Sequence, residues 1–277
     1  MPNSFGERLL EAFESKGQLC VGIDPHASLL NAWGLTDSAH GLREFSLRVV
    51  DACAGQVSLI KPQVSFFERF GAAGYTVLEE VTGAAKAADL LVIADAKRGD
   101  IGTTMDAYLE AWFGNLSGLH ADALTVSPYL GLRTISAGFA RYVGEGKGVY
   151  SLVATSNPEG ASVQLAGSNG TTLAGDQWLQ LAALNADASV FGNYGAVLGA
   201  TLDLDSFEVD RNQLKTPILA PGFGAQGAKL SDAKTIYGAL CRQVAYSVSR
   251  SVLQAGAREL QSAISVSNSE LFAGISQ

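Results

Sequence analysis

The chain has 277 residues, 47% of them hydrophobic and 17% charged, and a net charge of −8 at pH 7. This composition excludes a disordered chain, and so acidic a protein lacks the concentrated basic surface that binding nucleic acid requires. No apolar run approaches the roughly 20 residues that cross a bilayer, so no membrane partner is expected.

The opening segment MPNSFGERLLEAFESKG carries Glu7, Glu11 and Glu14 and reads as an amphipathic helix, not a secretory signal, which predicts a cytoplasmic enzyme. Cys20, Cys53 and Cys241 are odd in number and far apart, so reduced, mostly buried thiols are expected and neither disulfides nor a zinc site. His26, His40 and His120 have no ligand spacing, and no metal is expected.

Beyond the first helix, short β-like runs alternate with longer helical patterns, the signature of βα units around a parallel sheet. Eight strand candidates fall near 18–24, 56–62, 89–96, 122–127, 148–155, 194–201, 216–221 and 243–249. Eight with intervening helices predict an α/β fold, the closed (β/α)8 TIM barrel, with an open doubly wound sheet as the alternative. No linker or composition shift divides the chain, so one domain over 1–277 is expected. Polar residues gather where these runs end, at Asp24, Lys61, Asp95, Lys97, Ser127, Thr155, Ser156 and Arg250, and a barrel brings such ends to one face. The Gly-, Ser- and Asn-rich stretch 157–175 predicts a mobile loop or lid over that face, and the small, polar tail 265–277 predicts disorder.

The most informative stretch is LVIADAKRGDIGTT, residues 91–104, where a buried run ends in alternating charges. Side chains two apart on a strand share a face, so Asp95 and Lys97 can act on one ligand, although a structural ion pair fits the same pattern. Gly99 breaks the strand, and Asp100 precedes the helical pattern IGTTMDAYLEAWF, where it reads either as an N-cap or as part of a charged centre. Lys61, closing the neighbouring run, would complete a near-neutral quartet with Asp95, Lys97 and Asp100. Such an array can stabilise a carbanion without a metal. Further on, TPILAPGFGAQGA offers Gly222, Gly224 and Gly227 for close backbone approach to an anion, and Arg250 ends the next run, where a guanidinium can grip phosphate. In barrels the loops after the seventh and eighth strands frequently bind phosphate.

These residues resemble the orotidine 5′-phosphate decarboxylase family, in its larger variety, across nearly the whole chain. DAKRGDIGTT at 95–104 matches the family's DxKxxDI signature, and GID at 22–24, IKPQVSFFE from 60, ATSNPEG from 154, VLGAT at 197–201 and APGFGAQG at 220–227 follow the same pattern. The resemblance implies decarboxylation of orotidine 5′-monophosphate to UMP, the last step of pyrimidine synthesis, with no cofactor. It implies that Lys97 protonates C6 of the ring, that Asp95 lies against the substrate carboxylate, and that Lys61 and Asp100 complete the network and contact the ribose. Asp24 would bind a ribose hydroxyl and Ser156 the pyrimidine, while Gln226, Arg250 and the amides around Gly222 and Gly224 would hold phosphate. It also implies a homodimer in which Asp100 and Thr104 reach into the neighbouring site. The stretch GAKLSDAKTIYGALC after Gln226 departs from the tyrosine-arginine pattern of shorter relatives.

Two other functions fit parts of this pattern. One is a related barrel that decarboxylates a phosphorylated keto sugar acid with magnesium, and the other is a noncatalytic nucleotide-binding barrel. Lys61 and Lys97 would crowd a cation, and a pure binder has no need of four clustered charges.

Overall fold

Val, Ile, Leu and Ala recur through all eight predicted runs because strands in a parallel barrel are covered on both faces. Each run forms a strand in the computed structural model, which describes residues 3–168 and 170–276: β1 Leu19–Ile23, β2 Leu59–Pro62, β3 Leu91–Arg98, β4 Ala123–Val126, β5 Gly148–Ala154, β6 Tyr194–Leu198, β7 Ile218–Ala220 and β8 Val244–Val248. Every strand pairs in parallel with its chain neighbours, and β1 closes the ring on β8 through Leu19↔Tyr246 and Val21↔Val248. The fold is therefore the closed (β/α)8 barrel, and the open-sheet alternative falls. No helix among the described residues is long and apolar enough to cross a membrane.

The first helix, Phe5–Lys16, begins with a capping box in which Ser4 and Glu7 satisfy each other's backbone N–H groups. Its Phe5, Leu9 and Phe13 close the amino-terminal mouth of the barrel against an inner layer of one residue from every strand: Cys20, Leu59, Ile93, Ala123, Tyr150, Val197, Leu219 and Ala245. Phe5 meets Tyr150 edge to face at 6.0 Å. Outward-facing residues of the strands pack against the surrounding helices in a second, larger cluster. With the lower mouth filled, the carboxyl ends of the strands are left for chemistry.

Two segments differ from expectation. The stretch 157–175 forms a short helix, Ala161–Gln164, and a two-stranded hairpin, Gly167–Ser168 with Thr171–Thr172, and Thr172 caps the helix Leu173–Leu184. Glu208 fastens the hairpin by accepting from the Thr172 N–H at 2.6 Å and from the Thr171 hydroxyl. The tail expected to be disordered is instead the end of a helix, Gly256–Ser276, with Leu260, Ile264, Leu271 and Gly274 buried. The burial of that narrow stripe outweighs the polar composition. Gln277 lies outside the described residues. All three cysteines are free and buried.

Candidate active site

Asp95, near the end of β3, is the centre of the site and only 8% exposed. Lys61 Nζ from β2 donates to its Oδ2 at 3.0 Å, Lys97 Nζ donates to its Oδ1 at 2.5 Å, and the Thr125 hydroxyl from β4 donates to the same Oδ1 at 3.0 Å. Burial alone would raise the Asp95 pKa, but the two ammonium groups outweigh it and hold the carboxyl well below its ordinary range. For Lys61, burial works toward the neutral amine, while Asp95 and Asp24 more than reverse it and keep the ammonium charged above its usual value. In the packed layer below the cleft, burial pushes the Cys20 thiol up to about 12, which keeps it neutral.

Asp95 and Lys97 do meet, but not through regular strand alternation. β3 runs in register with β4 at Ala94↔Leu124 and resumes only at Arg98↔Val126, so the intervening residues bulge. Within the bulge Lys97 takes a left-handed backbone conformation, φ 51°, which is costly for a residue with a side chain and turns its amine back toward Asp95.

The triad forms the floor of a cleft of about 300 Å³. Asp24, Ser156, Gly222, Gln226 and Arg250, all expected to bind substrate, line it. Asp24 Oδ1 and the Ser249 hydroxyl are buried there without a hydrogen-bond partner, which a polar ligand would relieve. Arg250 does not end β8 but opens the short helix Arg250–Leu253 just beyond it.

Three expected residues stand apart from this cleft. Gly224 donates its N–H to the Ala228 carbonyl at 2.8 Å, and a Cβ on it would come within 2.5 Å of Ser251, so this glycine seats the loop on the following turn and does not present its amide to the cleft. Asp100 and Thr104 lie outside the cleft lining, and Thr104 is exposed. Asp100 Oδ1 accepts the Ile101 N–H at 2.8 Å, and Ile101, not Asp100, caps the helix Gly102–Phe113. Within one chain the expected quartet is thus a triad of Lys61, Asp95 and Lys97, with Asp24 acting on Lys61 as the second carboxylate. Ser127 is also absent from the lining, whereas Gln63, Thr125, Ser247 and Ser249 belong to it. A polar residue in the midst of the apolar run ALTV was the available signal for Thr125, and Ser247 within VAYSV is of the same kind.

The model of the orotidine 5′-phosphate decarboxylase / HUMPS family matches residues 17–263. The chain belongs to this family. It is 49% identical over 254 residues to the orotidine 5′-phosphate decarboxylase of Streptomyces coelicolor, covering 91% of this chain and 90% of that one. A crystal structure from Streptomyces avermitilis assigned to the same enzyme superposes with a TM-score of 0.94 at 46% identity, covering 99% and 97% of the two chains. The Leishmania donovani OMP decarboxylase structure aligns at 29% identity with a TM-score of 0.70, covering 96% and 99%. These relatives place the chain among the decarboxylases of the family, so the enzyme is a carboxy-lyase.

Proposed function

We propose that this carboxy-lyase converts orotidine 5′-monophosphate to UMP and carbon dioxide without a metal or cofactor, using Lys97 as the proton donor. The observation that carries this reading is a buried carboxylate held between two ammonium groups at 2.5 and 3.0 Å, on the floor of a cleft whose rim bears a glycine loop and Arg250. The bond from C6 to the substrate carboxylate breaks, its electron pair stays on C6, and a proton from the Lys97 ammonium forms the new C6–H bond as carbon dioxide leaves. A fixed positive charge beside the developing carbanion stabilises the transition state more than the ground state. Asp95 lies against the departing carboxylate and orients both lysines.

Asp24, with an unpartnered carboxylate oxygen, suits a ribose hydroxyl, and Ser156 on the opposite rim suits the pyrimidine. Gln226 and Arg250, with the loop amides beside Gly222, suit the phosphate. Asp100 and Thr104, outside their own cleft, suit the role of residues contributed to a neighbour's site in a homodimer. Asp95 already faces two ammonium groups, which disfavours a divalent cation and with it the magnesium-dependent keto sugar acid reading. Three buried free thiols accord with the reducing cytoplasm.

The test follows the ultraviolet absorbance of orotidine 5′-monophosphate with purified enzyme in excess chelator. Rapid loss with UMP and carbon dioxide as products is expected, and free orotidine is expected to lose turnover as well as affinity because phosphate binding energy serves the transition state. Activity that disappears with the chelator and returns with magnesium would overturn the metal-free mechanism.

A further inference from the structure

We propose that Thr125 is a positioning residue for the decarboxylation, setting both the carboxylate of Asp95 and the backbone of Lys97 through one hydroxyl. This rests on the catalytic roles assigned above to Asp95 and Lys97. Thr125 is 1% exposed and lies between the two points where β4 pairs in register with the bulged β3. Its Oγ accepts the Lys97 backbone N–H at 2.9 Å and lies 3.0 Å from Asp95 Oδ1.

The direction of this chain is fixed by chemistry. The Lys97 N–H can only donate and the ionised Asp95 can only accept, so the hydroxyl must accept from the first and donate its single proton to the second. Thr125 therefore takes the place of a ladder carbonyl where the strands fall out of register, and holds Lys97 in its left-handed conformation. The same proton adds a third donor to Asp95, so that Oδ1 faces Lys97 and Oδ2 faces Lys61. A side chain of the same shape without the hydroxyl leaves the Lys97 N–H without this acceptor and frees the carboxylate to turn. The amine that must meet C6 then loses its fixed direction.

The experiment compares Thr125→Val and Thr125→Ser with wild-type enzyme, measuring kcat and KM for orotidine 5′-monophosphate, UMP affinity by calorimetry and thermal unfolding. Thr125→Val is expected to lower kcat by about 10- to 100-fold, the scale of a slightly misplaced catalytic group. UMP affinity should stay close to wild type, and Thr125→Ser should recover most of the rate. Unimpaired kcat in Thr125→Val overturns the inference, as does a parallel loss of kcat, UMP-binding sites and thermal stability that serine does not rescue. An inactive wild-type enzyme overturns the decarboxylase reading and this inference with it, whereas an active wild type beside an unimpaired Thr125→Val overturns this inference alone.

Discussion

Lys61 and Lys97 hold the same carboxylate in different surroundings, and substitution should separate their neighbourhoods. Lys61 is 6% exposed, whereas the side chain of Lys97 is 45% exposed. Lys97→Ala should abolish product formation, leave UMP binding largely intact and cost about 1 kcal/mol or less of stability, because its ammonium is half in water and Asp95 keeps Lys61. Asp95→Ala should also abolish turnover, but it removes the hydrogen-bonded carboxylate from the buried Lys61 ammonium, leaving only Asp24 to offset its charge, and should cost about 3–5 kcal/mol. Chemical denaturation of the two variants beside a UMP titration checks this, and equal stability losses would refute the difference in burial. The charges themselves were legible in DAKRGD because ionised residues at the end of an apolar run are conspicuous. The bulge was not, because a left-handed lysine leaves no mark in composition and arises from how β3 meets β4.

Among the elements, the strands were the easiest to read, since covering both faces demands runs that are mostly apolar. The last helix was the hardest. SVSNSELFAGISQ shows small and polar residues, and only Leu271 and Gly274 of its inward face lie within the stretch read as a tail, too few to reveal a stripe without Leu260 and Ile264 upstream. Gly274 is where this helix comes closest to its support: a Cβ there would lie 2.3 Å from the Leu230 carbonyl oxygen. Gly274→Ala should therefore push the helix away from the turn Leu230–Asp232 and destabilise the protein by about 1–3 kcal/mol, although alanine is the better helix former. A raised thermal midpoint in that variant would show that the helix end is free to shift. The secondary structure within 157–175 was hidden for a related reason: its anchor, Glu208, lies far along the chain, and its Gly and Ser content masks a hairpin.

For the molecule as a whole, the buried triad couples stability to pH in both directions. The lowered Asp95 pKa contributes stability that is complete above its ordinary value of 3.8 and is lost as pH falls through the lower folded value. The raised Lys61 pKa contributes stability that is complete below its ordinary value of 10.5 and is lost as pH rises through the higher folded value. Unfolding free energy measured across pH should thus gain a broad neutral plateau from this pair, and Asp95→Asn should lose the pair's contribution to the acid limb. An acid limb unchanged in that variant would assign the limb to other carboxylates.

The helix that closes the lower mouth also has a consequence for how the chain is made. Phe5, Leu9 and Phe13 leave the ribosome before any strand of the barrel, yet their resting place is a ring to which every strand contributes, ending with Ala245 of β8. Through most of synthesis this apolar face has only part of its partner surface and must be kept from sticking to other chains. A helix made before every strand is thus among the last elements to find its complete seat, and a ribosome halted before β8 releases a product in which this helix has no finished barrel to close.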